Sequence, residues 1–317
     1  MADYNSPTPK LFKLLRYLLF ILIIAVPLIT YWNPEYSSLY IFTFVTLGIS
    51  LWNYPGWYVL VASCLGLSVQ IFILGNPEST TALFVNLLIY VSITFFAYTI
   101  TKQFLHIQKL KNDLVTALSN SLGSRDTYTG QHSENVAKYA LMIAKKLKFS
   151  KEECNAIYIG GLLHDIGKIG ISETILKKPT KLTLEEFEQI KLHPELGYNM
   201  IMHISSFAEL GVLEMVRYHH ERFDGKGYPA GLKGEEIPLA ARILCVADSF
   251  DAMTSKRTYR NALDLSYAKA EIADNRCTQF DPYITDIFLE ILENEGQSIL
   301  KRLPRAKFLR SFENKLN

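Results

Sequence analysis

Residues 155–171 read NAIYIGGLLHDIGKIGI. Apolar side chains recur there at helical spacing, and a His–Asp pair follows directly at 164–165. The same spacing runs through SENVAKYALMIAKKLKF at 133–149 and YITDIFLEILE at 283–293. Alternating strand patterns are nearly absent between, and the breaks are short and polar. Residues 123–295 are therefore expected to form an all-α domain.

Upstream the composition changes. Between Tyr17 and Thr101 the only charged residues are Glu35 and Glu78. A membrane-crossing helix needs roughly 20 apolar residues, and the uncharged run 36–77 is broken by NYPG at 53–56. The sequence thus predicts a four-helix transmembrane region over 1–101, with spans near 14–32, 36–53, 57–75 and 82–101. Three such runs beyond the first rule out a lone signal peptide. Trp32, Trp52 and Trp57 fall at span ends, where amphipathic rings favour the headgroup layer. Lys10, Lys13 and Arg16 precede the first span, and Lys102, Lys109 and Lys111 follow the last, so both termini are expected in the cytoplasm of a multi-pass inner-membrane protein. NPEYSS at 33–38 recurs as NPESTT at 76–81, either as two similar helix starts or as a duplicated hairpin. With no charge inside a span, an ion pathway is not indicated, and the region reads as a sensor or anchor.

Residues 102–122 place Phe104, Ile107, Leu110, Leu114, Leu118 and Leu122 on one stripe of a linker helix. That stripe suits either a homodimer contact with a second copy or packing on the chain's own domain. Three of the 33 basic and three of the 31 acidic residues precede residue 102, so the remainder is nearly balanced and carries no electrostatic case for a nucleic-acid polymer. The basic tail 296–317 reads as solvated. Four scattered cysteines without a CxxC pair fit a reducing compartment.

Five of the seven histidines stand in distinctive settings: His132 in GQHSENV, His164 in LLHDIGK, His193 in KLHPELG, and His219–His220 in YHHERFDGKGYPAG. Asp165 and Asp248 are the acidic companions. Imidazole with carboxylate suits first-row divalent metals. Neighbouring residues on a helix project about 100° apart, so a His–Asp or His–His pair serves two ions better than one. Asp165, with two oxygens to share, is the natural bridge. His106 and His203 read as ordinary surface or core residues.

RDTYTGQH, LLHDIGKIGI, KLHPELG, YHHERFDGKGYPAGLKGEEIPLAARI, ADSFDAMTSKRTYR and TQFDP follow one another between 125 and 282. In order and spacing they resemble the HD-GYP subgroup of the HD phosphohydrolase superfamily, over the whole of 119–295 and none of the membrane region. The resemblance implies hydrolysis of the second messenger cyclic di-GMP, to the linear dinucleotide or GMP, at a centre of two divalent transition-metal ions, iron or manganese. It implies one ion on His132, His164 and Asp248, a second on His193, His219 and His220, and Asp165 between them, with a bridging hydroxide as nucleophile. Relatives with a third ion carry glutamate where this chain has Tyr128, so two are expected. Lys168 is expected at the scissile phosphate or leaving alkoxide, and Arg257 and Arg260 at a phosphate. Gly227 would let the backbone approach the ligand, Tyr228 would offer a ring near a guanine, and Asp126 and Asp224, with Glu221, would orient imidazoles. Cys277, where relatives carry glycine, reads as a packing change. The other readings are a catalytically silent cyclic di-GMP receptor and a phosphodiesterase for a different cyclic dinucleotide.

Overall fold

The computed structural model describes residues 10–74, 80–125, 127–255 and 263–300. They divide into two compact units, Met1–Asn112 and Asp113–Asn317. The first holds α1 (Lys10–Trp32), α2 (Tyr40–Ser50), α3 (Trp57–Leu74) and most of α4 (Thr80–Arg125). Its small core is Val26, Tyr40, Phe44, Leu67 and Tyr90, with Phe44 and Tyr90 stacked at 4.1 Å. Around that core the apolar surface is left outward: Leu14, Phe20, Ile24, Phe72 and Phe96 are each more than half exposed.

The four-span expectation is not supported. Two helices, over Leu14–Trp32 and within Thr80–Ser121, are long and apolar enough to cross a membrane. The second segment fails because Pro34–Leu39 winds as a 3₁₀ turn and leaves only 11 residues of α2. At 1.5 Å per residue that is about 16 Å, half of a roughly 30 Å hydrocarbon layer. The third helix, α3, has 18 residues, at the lower end of spanning length. The second NPE repeat lies mostly outside the described residues.

The second unit runs through α5 (Thr127–Lys146), α6 (Lys151–Leu163), α7 (Glu173–Leu176), α8 (Leu184–Ile190), α9 (His193–Ile201), α10 (Ser205–Glu209), α11 (Val212–Tyr218), α12 (Leu239–Thr254), α13 (Leu265–Asp274) and α14 (Pro282–Glu295). No strand occurs among its described residues, and the fold is all-α as the periodicity requires. Helix α5 packs on α6 and α12, and α11 packs on α6, α9 and α12. Val136, Ala137, Ala140 and Leu141 of α5 meet Leu162 and Leu163 of α6 and Ile243, Val246 and Phe250 of α12 in one core. Small residues on α5 allow that close approach. The rings of Tyr139 and Phe288 each meet that of Phe250 at 5.0 Å and near right angles, which ties α14 to the centre.

Val115 and Leu118, near the end of α4, belong to this second core, whereas Phe104, Ile107, Leu110 and Leu114 are exposed. Part of the linker stripe therefore packs on its own domain. Ile299 is also buried in that core, and its carbonyl accepts from Lys138 Nζ, so residues 296–300 belong to the fold. Cys277 has φ +65°, the left-handed backbone region in which glycine costs least. Backbone conformation, then, is what this position selects for.

Candidate metal centre and adjoining cleft

The site is built at helix ends. α6 stops at Leu163, His164 closes it, and the chain turns into a 3₁₀ segment over Ile166–Gly170. That break frees Asp165 from the helical repeat that would point it 100° from His164. The turn fits because Gly167 has no side chain: a Cβ there would fall 1.9 Å from the carbonyl oxygen of His193 and 2.4 Å from the amide nitrogen of Gly197. The His164–Asp165 corner is thereby pressed against the start of α9, which His193 opens. His219 and His220 follow the last residue of α11. His132 and Asp248 come from the interiors of α5 and α12.

These side chains converge. Asp165 Oδ2 lies 3.5 Å from His164 Nε2 and 3.8 Å from His132 Nε2, while Oδ1 lies 3.3 Å from His193 Nε2. Asp248 Oδ1 is 3.0 Å from His132 Nε2 and 3.9 Å from His164 Nε2. Two donor groups result, His132–His164–Asp165 and Asp165–His193–His219–His220, with Asp165 common to both.

The donor chemistry fits cations. Nδ1 of His164, His193 and His219 lies 2.8, 2.7 and 2.8 Å from the carbonyl oxygens of Gly161, Ile190 and Val216. A carbonyl only accepts, so each Nδ1 carries the proton, and in a neutral ring Nε2 presents a bare lone pair. The Nε2 atoms of His193 and His219 face each other at 3.3 Å, and the buried Nε2 of His164 has no hydrogen-bond partner. Nitrogens so arranged repel unless a positive charge sits among them. Burial, then the neighbouring imidazoles, holds His219 well below its usual pKa, and burial with His193 lowers His220 to about 3. Burial opposes charge on Asp165 too, but Lys168, His164 and His193 outweigh it and keep the carboxylate ionised. His132 differs: burial opposes its charge, yet hydrogen bonds to Asp248 and Asp251 raise its pKa to about 9.

Asp251 is a site residue that sequence reading missed. Fully buried on α12, it meets His132 Nδ1 at 2.7 Å, and it accepts from Asn135 Nδ2 at 2.8 Å and from Ser255 Oγ at 2.9 Å. The available signal was its spacing, three residues after Asp248 and so on the same helical face.

Other expectations change. Asp224 orients no imidazole: it is paired with Arg222, Nη2 to Oδ2 at 2.8 Å, and accepts from Lys226 N. Glu221 accepts the amides of Ala230 and Gly231 at 2.7 and 3.0 Å, and so fastens the loop instead of a ring. At Gly227 the close approach is to the chain itself, since a Cβ would lie 2.4–2.6 Å from backbone atoms of His220, Glu221 and Arg222. Tyr228 lies against His220, with ring centroids 4.8 Å apart. The α-helix does not continue to Lys168, whose Nζ sits on the 3₁₀ turn 2.6 Å from Asp165 Oδ2. Asp126, Arg257 and Arg260 lie outside the described residues, as does the side chain of Tyr128.

Beside the donor groups opens a cleft of about 340 Å³, into which His219, His220, Asp248, Tyr228 and Gly227 face together with Arg222. Its volume is at the small end for ligand sites.

A family model described as an HD domain matches residues 116–284. The cyclic di-GMP phosphodiesterase response regulator RpfG of Xanthomonas campestris is 39% identical over 184 residues, 58% of this chain and 48% of its own. A cyclic di-GMP phosphodiesterase of Thermotoga maritima is 42% identical over 179 residues, 56% of this chain and 48% of its own. The 3'3'-cGAMP-specific phosphodiesterase 3 of Vibrio cholerae is 39% identical over 169 residues, covering 53% and 36%. The chain spans about half the length of these relatives, or less.

Proposed function

Since the chain belongs to the HD-domain family, we propose that it is a metal-dependent phosphodiesterase that hydrolyses a cyclic dinucleotide, cyclic di-GMP foremost. The observation that carries this is the split use of Asp165, one oxygen toward His132 and His164 and the other toward His193. Such a carboxylate suits two cations held close together. His132, His164, Asp248 and Asp165 would hold one, and His193, His219, His220 and Asp165 the other, manganese or iron in each. When bound, the pair supplies Lewis-acid neutralisation of the phosphoryl oxygens and an activated water.

The chain's own residues do the rest. Backbone carbonyls fix the tautomers of His164, His193 and His219, so their Nε2 atoms facing the centre carry no proton, and Asp251 orients His132 through Nδ1. Lys168, a partly exposed ammonium beside Asp165, is placed to meet a phosphate oxygen or to give a proton to the departing alkoxide. Arg257 and Arg260 are assigned to a second phosphate by their motif. The intact donor set argues against a silent receptor, which would not require it. A second substrate reading is favoured by the relatives in Vibrio cholerae named for 3'3'-cGAMP.

Anchoring to the inner membrane belongs to the same proposal. Support comes from α1 and α4, whose apolar side chains face outward on several sides, and from the basic residues flanking them, which put the catalytic unit on the cytoplasmic side. The exposed Phe104, Ile107 and Leu110 offer a surface for a homodimer.

The test is metal analysis of the full chain after anaerobic reconstitution with manganese or ferrous iron, with cyclic di-GMP, cyclic GMP-AMP and cyclic di-AMP offered in parallel. Two equivalents of metal and cleavage of cyclic di-GMP are expected, and His219→Ala should abolish turnover while the protein stays folded. A reconstituted chain that binds no metal and cleaves none of the three overturns the proposal.

A further inference from the structure

The cleft is lined in part by an arginine whose charge is already balanced. Arg222 donates from Nε and Nη2 to the two oxygens of Asp224 at 3.1 and 2.8 Å, and from Nη1 to Gln279 Oε1 at 3.0 Å. A guanidinium has five N–H donors, so two are left over, on a side chain 30% exposed. The amide of Gln279 is itself held, Nε2 donating to Ser249 Oγ at 3.1 Å, and Ser249 follows Asp248 directly. The backbones are joined as well: Phe223 N donates to Gln279 O at 3.1 Å and Asp224 N to Thr278 O at 2.8 Å. The fork is therefore preorganised, at a set distance from the donor groups.

Asp224 cancels the charge that would make Arg222 a phosphate anchor, and what remains is directional donor capacity. The rings of Tyr228 and Phe187 also line the cleft, with Lys191 Nζ 5.7 and 5.1 Å from their centroids. A cleft that offers both aromatic rings and a neutralised donor fork suits a flat heteroaromatic group. Guanine offers two adjacent acceptors, O6 and N7, to two N–H groups, whereas adenine offers one acceptor and one donor.

We propose that Arg222, braced by Asp224 and Gln279, reads the guanine base of the nucleotide beside the scissile phosphate and sets the enzyme's preference for guanine over adenine. The inference rests on the phosphodiesterase reading for its substrate class, but its test is equilibrium binding. GMP and AMP contain no phosphodiester to cleave, so each can be titrated calorimetrically into the full-length, manganese-loaded chain without turnover.

Wild type should bind GMP about tenfold more tightly than AMP, or better, which is the range of one bidentate base contact. Arg222→Lys keeps the positive charge and a partner for Asp224, so the fold should survive, but it loses the fork. It should bring the GMP-to-AMP ratio within about threefold while leaving AMP affinity unchanged, the contact having been worth about tenfold. A wild-type ratio near one, an unchanged ratio in Arg222→Lys, or an equal loss for both nucleotides overturns the assignment. Selective GMP binding by a chain that cleaves no cyclic dinucleotide would leave the base reader standing and remove the phosphodiesterase reading instead.

Discussion

Asp251 shows how much of this centre depends on groups that would touch no ion. It holds His132 through Nδ1 and is itself held by Asn135 and Ser255. Asp251→Asn keeps the size but removes the charge and turns one acceptor into a donor. Metal affinity should fall about 10- to 100-fold, the usual cost of losing a ligand's orienting partner. Metal titration with circular dichroism on the same samples checks this, and unchanged affinity in a folded variant would show that His132 needs no such support. Asp224 teaches the opposite lesson. Its motif position drew it to an imidazole, yet an arginine two residues away in sequence captured it, because a bidentate ion pair was the nearer and stronger partner.

The turn after α6 decides whether the two donor groups can share Asp165 at all. Gly167→Ala would drive a methyl into the backbone of His193 and Gly197, and backbone cannot rotate away as a side-chain tip can. The expected cost is about 3 kcal/mol or more, toward the upper end for overpacking, read as a lowered urea midpoint of the metal-free protein. Metal binding should weaken further because Asp165 and His193 move apart. At the other end of α6, Ser150 accepts from Glu153 N, and Glu153 receives Ser150 N in return, a closed capping box. Ser150→Ala should cost only about 1 kcal/mol and leave metal affinity intact, since α6 carries His164 at its far end. The Glu153 carboxyl is held below its usual pKa by those bonds. Its share of stability is thus present at neutral pH and is lost as pH falls through the carboxylate range, a trend that denaturation curves taken across that range would show.

For the chain as a whole, α1 at about 35 Å and the apolar part of α4 predict that the full-length protein sediments with membranes and is released by detergent, not by carbonate. Recovery in the soluble fraction would remove the anchoring proposal. Helical period was enough to specify the all-α class and the helices over 133–149, 155–163 and 283–293, because it is a property of neighbouring residues. The grouping of five imidazoles around Asp165 and Asp248, by contrast, came from the resemblance of the motifs to a known family. Local sequence could not count spans: a 3₁₀ turn at Pro34–Leu39 shortens a helix without altering its composition. Nor could it assign partners to Asp224, Glu221 and Asp251, or reveal the bracing of Arg222. Those pairings join groups as near as Arg222 and Asp224 and as far apart as His132 and Asp251, and competition among them is settled by which side chains the fold brings within about 3 Å of one another.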